Sequence, residues 1–172
     1  MGYRLRSISI RGYRGVGDTR LDLDFAKPLI VLFGDNGAGK STVISAVEWA
    51  LFGKVTGADD ARQGEADRKR AYINRNSDAA EVTITLTLES DDREKIAVTR
   101  IRKRDCAARD NDAVTVEING EAVEGEDAAV LLGLTHGMYH RACAPSQSDM
   151  QALVADKAED RDAALERTPG GG

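Results

Sequence analysis

Residues 34–41 read Gly34-Asp35-Asn36-Gly37-Ala38-Gly39-Lys40-Ser41, a match at every position to the pattern G-x-x-x-x-G-K-[ST]. The flanks constrain the fold as much as the motif does. Before it stands the continuous apolar run 29-LIVLF-33, which predicts a strand buried on both faces, as in the middle of an α/β sheet. After it, Val43, Ile44, Val47, Ala50 and Leu51 recur at helical spacing, and Gly53 stands where a helix C-cap would. Strand, glycine loop and helix together set a chemistry. Glycines let backbone N–H groups converge on an anion, and the helix N-terminus adds partial positive charge. In such a loop Lys40 would reach the β- and γ-phosphates of a nucleotide, and the Ser41 hydroxyl would ligate Mg²⁺.

The rest of the chain decides which kind of phosphate-binding protein this is. Residues 4-RLRSISIR-11 and 19-TRLDLDF-25 alternate as half-buried strands do. Residues 54–80 are polar without a clear period and read as an irregular connection. Then 81-EVTITLTLE-89 and 95-KIAVTRIR-102 alternate across a turn-like 90-SDDRE-94, and 113-AVTVEINGEAV-123 carries the hairpin signal Asn119-Gly120. Residues 127–134 predict a short helix, and 150–167 a charged, alanine-rich helix with a thin apolar stripe. A small P-loop kinase, the first rival, would continue as repeated strand–helix units building a parallel sheet. These hairpins instead predict an antiparallel subdomain behind the loop, which leaves the kinase a distant third reading.

Composition supports one domain with a real core: 172 residues, 41% hydrophobic, with few aromatics. A formal charge of −5 argues against a chain coated in basic charge for nucleic acid and leaves room for a local basic patch. Two cysteines, Cys106 and Cys143, make no disulfide framework and favour a reducing compartment. With no apolar run near the roughly 18 residues a membrane span needs, and no secretion signal, a cytoplasmic protein without membrane contact is expected.

Taken together, 10-IRGYRGVG-17, 34-GDNGAGKST-42, the helix ending 51-LFG-53, the hairpins and 145-PSQSDMQALV-154 resemble the N-terminal half of ABC-type ATPases of chromosome maintenance and repair, the SMC, RecF and SbcC group. The likeness is strongest to SbcC and its double-strand-break repair relatives, and runs from Leu5 to Arg167. It implies an α/β P-loop NTPase lobe with a mixed sheet, an antiparallel β subdomain and the start of a coiled-coil helix. The lobe would span 1–167, with the coiled coil beginning at 150–167, and 168–172 would be a flexible tail or linker. Carried over by position, Gly34, Asn36, Gly37, Ala38, Gly39 and Lys40 would hold the phosphates of ATP, with Ser41 on Mg²⁺ and Thr42 on the α-phosphate. Arg14 would bring charge to the phosphates. Gln147, in the place of the family's Q-loop glutamine, would contact Mg²⁺ or the attacking water, although Ser148 stands where the family commonly has glycine.

Two family elements are not in this sequence: an apolar strand ending in Asp-Glu (Walker B), and a signature motif of the LSGG type. The resemblance puts both in a C-terminal half, so this chain reads as the ATP grip without the hydrolytic trigger. It implies that the chain alone is inactive or very slow, and that its partners are that C-terminal half and a second copy engaged as an ATP-sandwiched dimer. DNA and a nuclease are the other partners it implies. Arg100, Arg102, Lys103 and Arg104, at a hairpin end, are candidates for DNA contact, as is a second basic cluster at Arg62, Arg68, Lys69, Arg70 and Arg75. A solvated charged face is the simpler account of both. The alternative from another class is a truncated or split nucleotide-binding module without catalysis.

Overall fold

The computed structural model describes residues 2–25, 27, 29–56, 72–105, 111–124 and 127–143. Two compact units are distinguished, 1–128 and 129–172. The first is built on one six-stranded sheet. In chain order its elements are β1 (Tyr3–Arg11), β2 (Leu21–Asp24), α1 (Lys40–Phe52), β3 (Glu81–Ser90), β4 (Lys95–Lys103), β5 (Ala113–Ile118) and β6 (Glu121–Val123). The sheet order is β2-β1-β3-β4-β5-β6, and every pairing is antiparallel.

Period-2 alternation sorts the two faces. One cross-strand row runs Leu23, Ile8, Leu86, Val98, Val116, Val123 through all six strands, and most of it is buried. Helix α1 packs on this face through Ala46, Trp49, Ala50 and Leu51. The opposite face carries Ser9, Thr85 and Thr99 in register, with the two threonine hydroxyls 3.0 Å apart. The Asn119-Gly120 turn is present, with φ of 53° and 88°, as a two-residue hairpin requires. Gly53 caps α1 in a left-handed conformation, its N–H donating to the Trp49 carbonyl.

The second unit holds α2 from its second residue on (Ala128–Leu131), α3 (His136–Met138) and a π-helical turn, Tyr139–Cys143. Thr135 caps α3 by accepting from the Met138 N–H at 3.2 Å. The expected coiled-coil start at 150–167, the tail at 168–172 and Gln147 lie outside the described residues.

Two expectations are corrected. The sheet expected to be mixed is antiparallel in every pairing among the described residues, because its strands follow one another through hairpins and the run 29–33 adds no parallel strand to it. The run 29–33 is neither a strand nor buried: Leu29, Val31 and Phe33 are 79%, 71% and 91% exposed. A strand needs ladder partners for its N–H and C=O groups and side chains above and below. Among the described residues, no strand pairs with this run. Phe33→Glu is accordingly expected to change unfolding free energy by less than about 0.5 kcal/mol, measured by urea titration. A loss above about 2 kcal/mol, the size seen when a packed aromatic is removed, would show that the run is covered in solution.

Candidate nucleotide-binding site

The loop at 34–41 has the backbone its glycines foretell. Gly37 and Gly39 sit at φ 88° and 91°, and nothing lies within 4 Å of a Cβ built on either. Backbone conformation, not crowding, therefore demands glycine at both. Gly39 is the N-cap of α1, so the loop delivers its N–H groups to the positive end of a 13-residue helix. Lys40 bends back over the loop, its Nζ donating to the Gly34 and Asp35 carbonyls at 2.7 and 2.8 Å. Ser41 is exposed on the first turn and Thr42 is buried beneath it. Gly34, Asn36, Gly37, Ala38, Gly39, Lys40, Ser41 and Thr42 thus form one continuous cradle and first helical turn. Beside it opens a cleft of about 460 Å³, lined in part by Val16, Leu23, Val31, Phe33, Lys40 and Val43.

Arg14 comes from the connection between β1 and β2 and is brought to the same helix. Its Nη1 donates to the Ser45 hydroxyl at 3.2 Å, one turn beyond Ser41. Helical spacing predicted a stripe through Ile44 and Val47, yet Ile44 is 53% exposed, and the buried face of α1 instead includes Thr42, Ser45 and Glu48. Glu48 accepts from the Thr56 N–H and hydroxyl at 2.7 and 3.0 Å, closing the turn after the helix. These polar positions escape a reading that searches only for apolar periodicity.

Tyr13, next to Arg14, is fully buried, and its hydroxyl donates to the Ser45 carbonyl or hydroxyl, each at 3.2 Å. Burial pushes this phenol up to about 12, against an ordinary value of 10.0. The folded state then holds a proton that the unfolded chain releases. The resulting stability is fully present below pH 10 and is lost as pH rises toward about 12. Urea midpoints should fall over that interval, and Tyr13→Phe should flatten the fall relative to the unsubstituted chain. Identical slopes would mean that Tyr13 titrates as an exposed tyrosine does.

The four residues considered for DNA contact are not a free surface patch. Arg102 is buried and forms a bidentate pair with Asp112, at 2.6 and 2.8 Å. Arg100 donates to the Ala50 carbonyl at 3.1 Å and reaches Asp112 at 3.4 Å, and burial holds its pKa below the ordinary value against the pull of that carboxylate. Arg104 donates to the carbonyls of Ala79, Asn74 and Ser77. Lys103 alone of the four is exposed. In the other cluster, 62–70 lies outside the described residues.

A family described as an AAA domain matches residues 7–130, close to three quarters of the chain. The chain belongs to the AAA domain family. Its sequence is 24% identical to the chromosome partition protein Smc of Bacillus subtilis over 187 residues, covering 96% of this AAA domain chain and 14% of that protein. It is 27% identical to the SbcC component of the nuclease SbcCD of Lactococcus lactis over 157 residues, covering 81% of this chain and again 14% of the relative. The chain therefore spans about a seventh of the length of these curated relatives. Its fold matches a solved chain from work on ATP-driven dimerization and DNA-stimulated activation of SMC ATPases, with a TM-score of 0.64 at 17% identity, covering 95% and 98% of the two chains. The resemblance to the N-terminal half of SMC, RecF and SbcC ATPases stands, as does the α/β P-loop fold with its antiparallel subdomain. Among the described residues, no helix is long and apolar enough to cross a membrane.

Proposed function

We propose that this AAA domain is the ATP-gripping lobe of a cytoplasmic ATPase of chromosome maintenance or DNA repair, and that it hydrolyses ATP only when a C-terminal half completes it. The observation that carries the reading is the join between Phe33 and Gly34. On one side stands a formed phosphate loop at the head of α1. On the other stands an apolar run with no strand partner among the described residues. A lobe that grips phosphate and leaves the adjoining run bare is suited to receive further strands there, and with them the missing catalytic groups.

The residues present fit a Mg²⁺–nucleotide. Backbone N–H groups of 36–41 and the Lys40 ammonium would hold its phosphates, Ser41 would take the metal, and Thr42 would lie toward the α-phosphate. Bound Mg²⁺ supplies neutralisation of phosphate charge. Arg14 adds a guanidinium from the connection between β1 and β2, and Gln147 is assigned to the metal or the attacking water by sequence position alone. Engagement with a second copy across ATP, stimulation by DNA and work beside a nuclease are carried to this chain from what its relatives' names state. Lys103 is the residue of its hairpin end left open for a backbone phosphate.

The deciding experiment is ATP turnover by the purified chain with Mg²⁺, beside its Lys40→Ala variant. The expected result is binding that depends on Lys40, without turnover above the variant. Lys40-dependent turnover above about 1 per second, an ordinary enzyme rate, would overturn the half-site reading.

A further inference from the structure

Three aromatic rings stack behind the phosphate loop. Tyr13, Trp49 and Tyr72 are all but fully buried, with centroids 5.6 to 6.3 Å apart and planes within 27° of parallel. Guanidinium groups lie against the stack. Arg102 stands 5.1 Å from the Trp49 ring and 5.0 Å from that of Tyr72, and Arg14 stands 5.8 Å from both Tyr13 and Tyr72. The negative face of an aromatic ring attracts a cation, most strongly where water is excluded.

Arg14 is also fixed through its backbone. Its φ is 45°, a region that costs a side-chain-bearing residue energy and persists only where neighbours impose it. Those neighbours are 72–74. The Arg14 N–H donates to the Tyr72 carbonyl at 3.0 Å, Tyr13 bridges to Ile73, and the Asn74 N–H donates to the Gly12 carbonyl at 2.8 Å. Asp18 tightens the same junction by accepting from the Ser77 hydroxyl and the Asp78 and Ala79 N–H groups. Tyr72 thus touches Arg14 twice, through its carbonyl and through its ring, while Ser45 on α1 holds the far end of the guanidinium.

We infer that Tyr72 is a positioning residue for Arg14: its ring and the Ser45 hydroxyl form a seat that holds the guanidinium beside the first turns of α1, within reach of a nucleotide bound at the loop. An arginine side chain loses rotamer freedom whenever it engages a ligand, and a seat formed beforehand lowers that loss. The inference rests on the ATP-binding reading above and adds to it the element that sets Arg14.

The test uses the whole chain and two readouts. Without nucleotide, ¹⁵N NMR reports rotation about the Arg14 Nε–Cζ bond. With Mg²⁺, titration of a fluorescent ATP analogue reports affinity. Tyr72→Met removes the ring at similar reach, Tyr72→Phe keeps it, and each is combined with Arg14→Ala. Slow Arg14 rotation is expected in the unsubstituted chain and in Tyr72→Phe, and fast rotation in Tyr72→Met. Tyr72→Met should weaken binding about tenfold, the upper end of the cost of immobilising one rotamer-rich side chain. It should weaken it no further once Arg14 is alanine, and Tyr72→Phe should stay within about twofold of the unsubstituted chain, since the ring face remains.

Equal weakening by Tyr72→Met in both Arg14 backgrounds would show a merely structural role and overturn the inference. So would unchanged affinity in Tyr72→Met or in Arg14→Ala. Rapid Arg14 rotation in the unsubstituted chain overturns it without any variant, should Tyr72→Met fail to fold. Lys40→Ala separates the two levels. If it binds the analogue as well as the unsubstituted chain does, the ATP-binding reading fails and this inference with it. If it does not bind while Tyr72→Met does so normally, only this inference fails.

Discussion

Replacing Asp112 with alanine is expected to destabilise the domain by about 3–5 kcal/mol, the cost of stranding a buried charge by removing its partner. One carboxylate here serves two cations. Arg102 donates to both of its oxygens, at 2.6 and 2.8 Å, and Arg100 adds a longer contact at 3.4 Å. The three side chains are 5%, 7% and 13% exposed for Arg102, Asp112 and Arg100. Arginine does not shed its proton under these conditions, so the charges left behind cannot neutralise themselves. Both guanidiniums also lean on the Trp49 ring, so a shift of either disturbs the packing of α1. Asp112→Asn, which keeps a hydrogen-bonding oxygen and loses the charge, should fall between alanine and the unsubstituted chain. The double substitution Arg102→Met with Asp112→Leu should cost less than the sum of its parts, because both members of the pair leave together. Urea unfolding measures all three. A cost below about 1 kcal/mol for Asp112→Ala, the range of exposed pairs, would mean that water reaches the pair.

These arginines show what a sequence gives away and what it withholds. Alternation in β4 places Ile96 and Val98 inward, and the same parity carries on to Arg100 and Arg102, with Ile101 and Lys103 on the other side. The signal for burial was therefore present. A run of basic residues suggests a surface, and Asp112, the carboxylate that makes burial tolerable, stands ten residues on in a loop that no periodicity marks. The phosphate loop and the hairpins were legible because their determinants are local: glycines at positive φ, alternation in β3, the Asn119-Gly120 turn. The run at 29–33 was misread for a different reason. An apolar stretch says that something must cover it, and it does not say that the covering comes from the same chain. Ser45 and Tyr72 were invisible because their roles arise only where β1, α1 and 72–79 meet.

Lys40→Ala is expected to weaken ATP binding by about thirtyfold or more, since truncating a charged partner of a phosphate costs on the order of 2–5 kcal/mol. The same change should leave folding nearly untouched. Lys40 is not buried, and the bonds it loses are to the exposed carbonyls of Gly34 and Asp35, which water can satisfy. The glycine conformations and the N-terminus of α1 belong to the backbone and survive the substitution. Unfolding free energy should therefore move by less than about 1 kcal/mol, while isothermal titration with Mg²⁺ and ATP loses its heat. The two measurements decide only as a pair. A loss of both would make Lys40 a structural tie between 34 and 35 and would say nothing for phosphate. Binding retained within about threefold, under 1 kcal/mol, would mean that nucleotide is held somewhere other than this loop, and the ATP-gripping reading would fall.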